Sequence, residues 1–190
     1  MRRLITKEEE EKHKKRNRIA IGIFLAFVMI LSTIGFALQS NPGSTSTGSE
    51  EKVTYNGITF VYQNGFWTLG SLVFSYNPNQ LPEVSIGTLN SIDSYKAKPL
   101  YMSSENDDAK NEIYVNMVNF ASRIQEACVE GAECQDTTLP VKSCDENLVI
   151  IEESNSTMIR QDRNCVYIQG SKEELVKLAD VFLFRTMGIK

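Results

Sequence analysis

The chain has 190 residues, of which 42% are hydrophobic and 23% are charged, and its formal net charge at pH 7 is −4. This length suits one domain of ordinary size and excludes a large multidomain assembly. The mean hydropathy of −0.24 is that of a soluble protein. The apolar residues are nevertheless concentrated near one end, so the average conceals an apolar segment.

That segment covers residues 19–38 and reads IAIGIFLAFVMILSTIGFAL, without a charged residue. As a helix it would be about 30 Å long, which is the thickness of the hydrocarbon core of a bilayer. A cleavable signal peptide is the alternative interpretation. Signal peptides have shorter apolar cores of roughly 7 to 15 residues and a small-x-small cleavage site, which Ala37-Leu38-Gln39 resembles only loosely. The length therefore favours an uncleaved transmembrane helix.

The charges on either side of this segment indicate its orientation. Residues 1–18 contain eight Lys or Arg and four Glu, which leaves twelve basic and twenty acidic residues in the rest of the chain. The positive-inside rule places such a basic tail in the cytoplasm and the C-terminal part outside. We therefore predict a single-pass membrane protein with the lipid bilayer as one partner. The acidic balance of the exported part disfavours binding to nucleic acid.

All four cysteines lie in the part that is predicted to be exported: Cys128, Cys134, Cys144 and Cys165. An even number in an oxidising compartment indicates two disulfides. A zinc site is the alternative, but the spacing C-x5-C-x9-C-x20-C contains no C-x2-C pair and no histidine is near. Three pairings are open from sequence. We favour Cys128 with Cys134, which closes a small loop, and Cys144 with Cys165, which joins two predicted strands.

Residues 39–52 are rich in Ser, Thr and Gly and predict a flexible linker, so the exported domain is expected to cover residues 53–190. Its first part contains Asn56-Gly57 and Asn64-Gly65, dipeptides typical of two-residue turns between antiparallel strands. This part is also aromatic. Such residues could form a ligand-binding surface, but in strands they more often belong to the core. They are Tyr55, Phe60, Tyr62, Phe66, Trp67, Phe74 and Tyr76.

The second half alternates between strand and helix patterns. Strands are predicted at residues 98–103, 147–154, 157–161 and 165–169, and the apolar spacing of residues 107–126 predicts a helix. Ser171 and Glu174 form a capping-box pattern before a last helix, and Gly188 is suited to follow its end. The predicted fold class is α+β, a mostly antiparallel sheet with two helices packed on one face.

The sequence contains no motif that identifies a reaction. Its one histidine, His13, precedes the apolar segment, so histidine-based catalytic sites are excluded from the exported domain. No cofactor, no metal site and no catalytic residue is predicted. A hydrolase that uses two carboxylates is the alternative. Its candidates are Glu105, Asp107, Asp108, Glu130, Glu133, Asp145, Glu146, Glu152 and Glu153.

One modification signal is present, because Asn155-Ser156-Thr157 is a glycosylation sequon at a predicted bend.

The function that these patterns favour is that of a membrane-anchored extracytoplasmic module which binds a protein partner or associates with the cell envelope. The alternatives are a carboxylate hydrolase of envelope polymers or peptides and a minor subunit of a membrane complex. For the subunit, the small-residue spacing of Gly22 and Ala26 would support helix contacts.

Overall fold

The computed structural model describes residues 51–134 and 136–189. The predicted cytoplasmic tail (1–18), the predicted membrane span (19–38) and nearly all of the predicted linker (39–52) lie outside these residues. No helix within the described ranges combines the length and the apolar character that a bilayer crossing requires.

The described chain begins with four short antiparallel strands, here called the meander sheet: β1 (Lys52–Tyr55), β2 (Ile58–Gln63), β3 (Phe66–Leu69) and β4 (Leu72–Phe74). Asn56 and Gly57 at the first turn have φ values of 49° and 80°, and Asn64 and Gly65 at the second have 54° and 88°. Positive φ at both central residues is what a type I′ turn needs. Both predicted hairpins are therefore confirmed.

Six other strands of the described chain build a larger sheet, here called the main sheet. Their order in it is β5-β11-β12-β10-β6-β7. These strands are β5 (Ser85–Ile86), β6 (Pro99–Ser104), β7 (Arg123–Glu126), β10 (Leu148–Glu153), β11 (Met158–Asp162) and β12 (Cys165–Gly170). A separate two-stranded pair consists of β8 (Cys128–Val129) and β9 (Val141–Lys142).

The main sheet corrects the predicted mostly antiparallel arrangement. Strands β7, β6, β10 and β12 are parallel to one another, β5 is parallel to β11, and only the β11–β12 pair is antiparallel. Short turns between neighbouring strands give local signals for antiparallel pairing, whereas parallel pairing needs a crossover that joins distant parts of the chain. The mixed α+β class is confirmed, but the strand direction is not.

Helix α1 (Asp107–Met117) begins where it was predicted and ends nine residues earlier than the predicted residue 126. The side chain of Asn106 accepts a hydrogen bond from the Ala109 N–H at 2.9 Å and caps the first turn. Residues 123–126 form strand β7 instead of a last helical turn. Helix α1 is thus the crossover between the parallel strands β6 and β7.

Helix α2 (Leu175–Thr186) is buried on almost every side. Its Phe184 ring lies 4.5 Å from Phe74 and 5.6 Å from Phe60, between ring centroids, so α2 packs against the meander sheet. The helix also packs against α1 and β12. Because α2 contacts the meander sheet, α1 and β12, it lies at the centre of the apolar core, whose burial is the main source of folding energy. The predicted packing of both helices on one side of the main sheet is consistent with this core.

The capping box predicted before α2 forms only in part. The carboxylate of Glu174 accepts the Ser171 N–H at 3.4 Å, as the motif requires. The Ser171 hydroxyl, however, donates to the same carboxylate at 2.9 Å and does not accept from the helix backbone. These hydrogen bonds lower the pKa of Glu174, the larger cause being the Ser171 hydroxyl.

Candidate functional site

The cysteines occur in two pairs at disulfide distance, Cys128 with Cys134 and Cys144 with Cys165. This is the pairing that the sequence favoured. The first pair, with a sequence separation of 6, closes a short loop after β7, and the second joins the chain before β10 to the start of β12. The second disulfide lies on the side of the main sheet that the helices leave open, where Cys165 is fully buried.

The larger of the two cavities described here, called the acidic cleft, has a volume of about 670 Å³. It lies where β6, β7 and β10 end, and its other side is lined by Cys128, Val129, Ala132, Glu133, Cys134, Asp136 and Leu139, which include the first disulfide. The carboxyl ends of parallel strands are where ligands bind in many α/β proteins. The position of this cleft is therefore that of a binding site.

Six carboxylates line the acidic cleft: Glu105, Glu126, Glu133, Asp136, Glu152 and Glu153. The only ion pair that any of them makes with a described residue joins Glu126 to Lys110, at 2.8 Å. Asp136 accepts hydrogen bonds from the hydroxyl and the N–H of Thr138, which lower its pKa and keep it ionised. The cleft thus carries a large excess of negative charge, which attracts cationic ligands.

A second cavity, called the α1–β7 groove, adjoins the acidic cleft and has a volume of about 380 Å³. Helix α1 contributes Lys110 and Tyr114 to it, and strand β7 contributes Ile124 and Glu126. Tyr114 is 44% exposed although it is a large aromatic residue. Met102 and Glu126 line both cavities, so the groove and the cleft meet at these two residues.

On the opposite side of β6, Tyr101 is surrounded by basic groups. Arg123 donates to the Tyr101 hydroxyl at 2.6 Å, and Lys142 Nζ lies 4.4 Å from the centroid of its ring. The hydrogen bond from Arg123 is the main reason why the pKa of Tyr101 is lowered. Only 3% of Tyr101 is exposed, so we assign this cluster to the packing of the β8–β9 segment.

A pair of carboxyl groups lies between the two helices. Asp180 of α2 is fully buried and Glu112 of α1 is 7% exposed. Burial raises the pKa of Asp180 well above its ordinary value, and the charge of Glu112 adds to this effect. Oδ1 of Asp180 has no hydrogen-bond donor among the described residues. Such a pair resembles the acid and base of a hydrolase in chemistry, but it is not accessible to a substrate.

The structure separates the acidic residues that were candidates for catalysis. It brings Glu105, Glu133, Glu152 and Glu153 to the acidic cleft. Asp107 pairs with Lys110 at the start of α1, Asp145 pairs with Arg163, and Glu146 pairs with Lys142. Glu126 was missed, because the sequence placed it in a helix. Its position in the cleft depends on the parallel pairing of β7, for which the sequence carries no local signal.

The other predicted site is the sequon. Asn155 is exposed at the bend between β10 and β11, and its glycosylation stays a prediction. No group of three or more potential metal-ligating side chains is found within residues 51–134 and 136–189.

Comparison of the chain with protein-family models, with curated proteins and with solved structures found no match in any of the three.

Proposed function

We propose that this protein is a membrane-anchored extracytoplasmic binding module and that its acidic cleft binds a basic segment of a protein partner. The observation that carries the proposal is that six acidic residues line one open cavity at the carboxyl ends of β6, β7 and β10. The membrane anchor and the orientation follow from the charge and length of residues 1–38.

The nature of the ligand follows from the balance of charge. Lys110, which lines the adjoining groove, neutralises Glu126 of the acidic cleft only in part, because it also pairs with Asp107 at 2.7 Å. A cationic ligand would relieve the repulsion among the remaining carboxylates, and Lys or Arg side chains are the cations that proteins present. The cavity is large enough for several side chains, so a basic peptide segment fits better than a single ion.

A carboxylate hydrolase is the weaker alternative. Such an enzyme needs an acid whose pKa is raised beside the bound substrate. Burial raises the pKa of Asp180 well above its ordinary value, but Asp180 is fully buried between the helices and does not line the acidic cleft. This arrangement supports binding rather than hydrolysis as the role of the acidic cleft.

Binding of fluorescein-labelled hexalysine to the full-length chain in detergent would test this proposal, with fluorescence anisotropy as the measurement. We expect hexalysine to bind and an equally labelled hexaglutamate not to bind. The double variant Glu133→Gln with Glu153→Gln should raise the Kd by about fivefold, since each exposed charge contributes on the order of 0.5 kcal/mol. Higher salt should weaken the binding further.

The matched control is Glu83→Gln with Glu173→Gln, which removes the same charge from exposed positions that do not line the cleft. This control should leave the Kd within twofold of the unmodified protein. Equal losses in the two double variants would mean that net charge alone attracts the peptide, and the proposed cleft would then be rejected.

A further inference from the structure

Strand β7 is the edge of the main sheet, because its pairing partner in the described chain is β6 alone. The Ala127 N–H donates to the Met102 carbonyl at 2.9 Å, on the side of β6. Alternate residues of a strand direct their amide groups to opposite sides. Ile124 and Glu126 therefore direct theirs to the open edge, where another strand could accept and donate hydrogen bonds.

The surface beside this edge is suited to an apolar side chain. The α1–β7 groove follows β7 on the helix side of the main sheet, with Ile124 on one wall and the exposed ring of Tyr114 on the other. Because side chains of a strand alternate between its two sides, every second residue of an added strand would lie over this groove.

The groove meets the acidic cleft at Met102 and Glu126. A segment that pairs with β7 would therefore reach the uncompensated carboxylates at the end of the strand. The cleft argues for a basic partner and against a second copy of this chain, since residues 39–190 hold twenty acidic and twelve basic residues and a second copy would add to the negative charge. Like charges placed together oppose association.

We propose that the partner binds as an extended strand which pairs with the open edge of β7, inserts an apolar side chain into the α1–β7 groove and extends its Lys or Arg residues into the acidic cleft. This inference rests on the proposed function and adds the conformation and side-chain pattern of the ligand. Backbone hydrogen bonds would supply affinity, and the groove and the carboxylates would supply specificity.

Two synthetic peptides would test the inference. The first is fluorescein-labelled Lys-Lys-Thr-Val-Thr-Leu-Thr-Val-Lys-Lys, whose basic ends serve either direction of binding. The second has the same sequence with N-methyl groups on its six central amides, which removes the hydrogen-bond donors and keeps the charge. We expect the first peptide to bind the full-length chain in detergent at least tenfold more tightly than the second.

Variants of the protein test the groove. Tyr114→Ala should weaken the binding of the first peptide about fivefold and leave the binding of hexalysine unchanged. Phe66→Ala is the matched control, because Phe66 is 47% exposed and Tyr114 is 44% exposed, and only Tyr114 lines the groove. The control variant should bind both probes as the unmodified protein does.

Each of the remaining outcomes would overturn one part of the two proposals. Equal affinity of the two peptides, with hexalysine still bound, would reject strand pairing and leave the proposed acidic cleft intact. If neither peptide nor hexalysine binds, both proposals fail. Light scattering that shows a dimer of the full-length chain, together with a monomer for Ile124→Pro, would mean that a second copy occupies β7, and strand pairing with a basic partner would be rejected.

Discussion

Glu112 and Asp180, which lie on different helices, bind consecutive backbone amides of one loop. The Ser75 N–H donates to Glu112 Oε1 at 3.0 Å, and the Tyr76 N–H donates to Asp180 Oδ2 at 2.9 Å. The Ser75 hydroxyl adds a third hydrogen bond, to Glu112 Oε2 at 2.6 Å. Two buried carboxyl groups thereby attach the chain after β4 to both helices.

This pair should make stability depend on pH. The pKa of Asp180 is raised from 3.8 by burial and by the charge of Glu112. The stability that protonated Asp180 contributes is fully present below its unfolded-state pKa and is lost as the pH rises through its folded-state pKa. Asp180→Asn keeps an oxygen for the Tyr76 N–H and adds a donor, so it should raise the free energy of unfolding at pH 7 by about 1 to 3 kcal/mol.

Urea denaturation at several pH values between about 4 and 8 would measure this effect, with the fluorescence of Trp67, the only tryptophan, as the signal. The variant should show a smaller decline of stability with rising pH than the unmodified protein. Asp162→Asn, at an exposed position, is the control and should change neither the stability at pH 7 nor its dependence on pH. A destabilised Asp180→Asn with an unchanged pH dependence would contradict a protonated Asp180.

Gly170 should not tolerate a side chain. A Cβ at this position would lie 2.5 Å from Cδ1 of Leu178, which is fully buried in α2. Because the buried Leu178 side chain would have to shift within the packed core, Gly170→Ala should lower the free energy of unfolding by about 1 to 3 kcal/mol. Thermal unfolding followed by circular dichroism would measure the loss, and Gly87→Ala is the control, since its nearest neighbour is 3.8 Å away.

The two disulfides should contribute unequally to stability. The sequence separation is 21 for Cys144 and Cys165 and 6 for Cys128 and Cys134. Loss of the first by double substitution with Ala should cost about 3 kcal/mol and loss of the second about 2 kcal/mol, because a longer loop restricts the unfolded chain more. Both variants should stay folded. If the variant without Cys128 and Cys134 were less stable than the variant without Cys144 and Cys165, the Cys128–Cys134 loop would have the larger role in the native state.

The predicted topology can be examined with protease added outside intact cells. The region after Leu38 should be digested and a short N-terminal fragment should stay protected, because the basic tail is predicted to be cytoplasmic. Permeabilised cells provide the control, in which both parts become accessible. Protection of the whole C-terminal domain in intact cells would contradict the predicted orientation.

Local signals account for the parts of the fold that were predicted correctly. The turns at Asn56-Gly57 and Asn64-Gly65 determine two hairpins without reference to the rest of the chain. Strand β7 was missed because Ile124 continues the three- and four-residue apolar spacing of α1. Parallel pairing of β10 with β12 was missed because β11, which pairs with β12 in an antiparallel hairpin, lies between them in sequence.

The acidic cleft was not predicted either, because it also depends on pairing between strands that are distant in sequence. Its carboxylates come from the ends of β6, β7 and β10 and from residues 128–139, which are neighbours only after the strands have paired. In sequence Glu126 resembles a residue at the end of a helix, and the others resemble solvated charges at turns. The buried pair Glu112 and Asp180 was equally hidden, since Asp180 lies within an otherwise apolar helix and nothing nearby indicates its partner.

The central position of α2 has a consequence for the order in which the chain can fold. Helix α2 follows all twelve strands of the described residues in sequence, yet its Phe184 packs against Phe60 and Phe74 of the first hairpins. During synthesis, the apolar sides of the earlier strands therefore stay uncovered by α2 until residues 175–186 have been made. Contacts between distant parts of a chain form slowly. A chaperone that shields the strands during this interval would raise the yield of native protein.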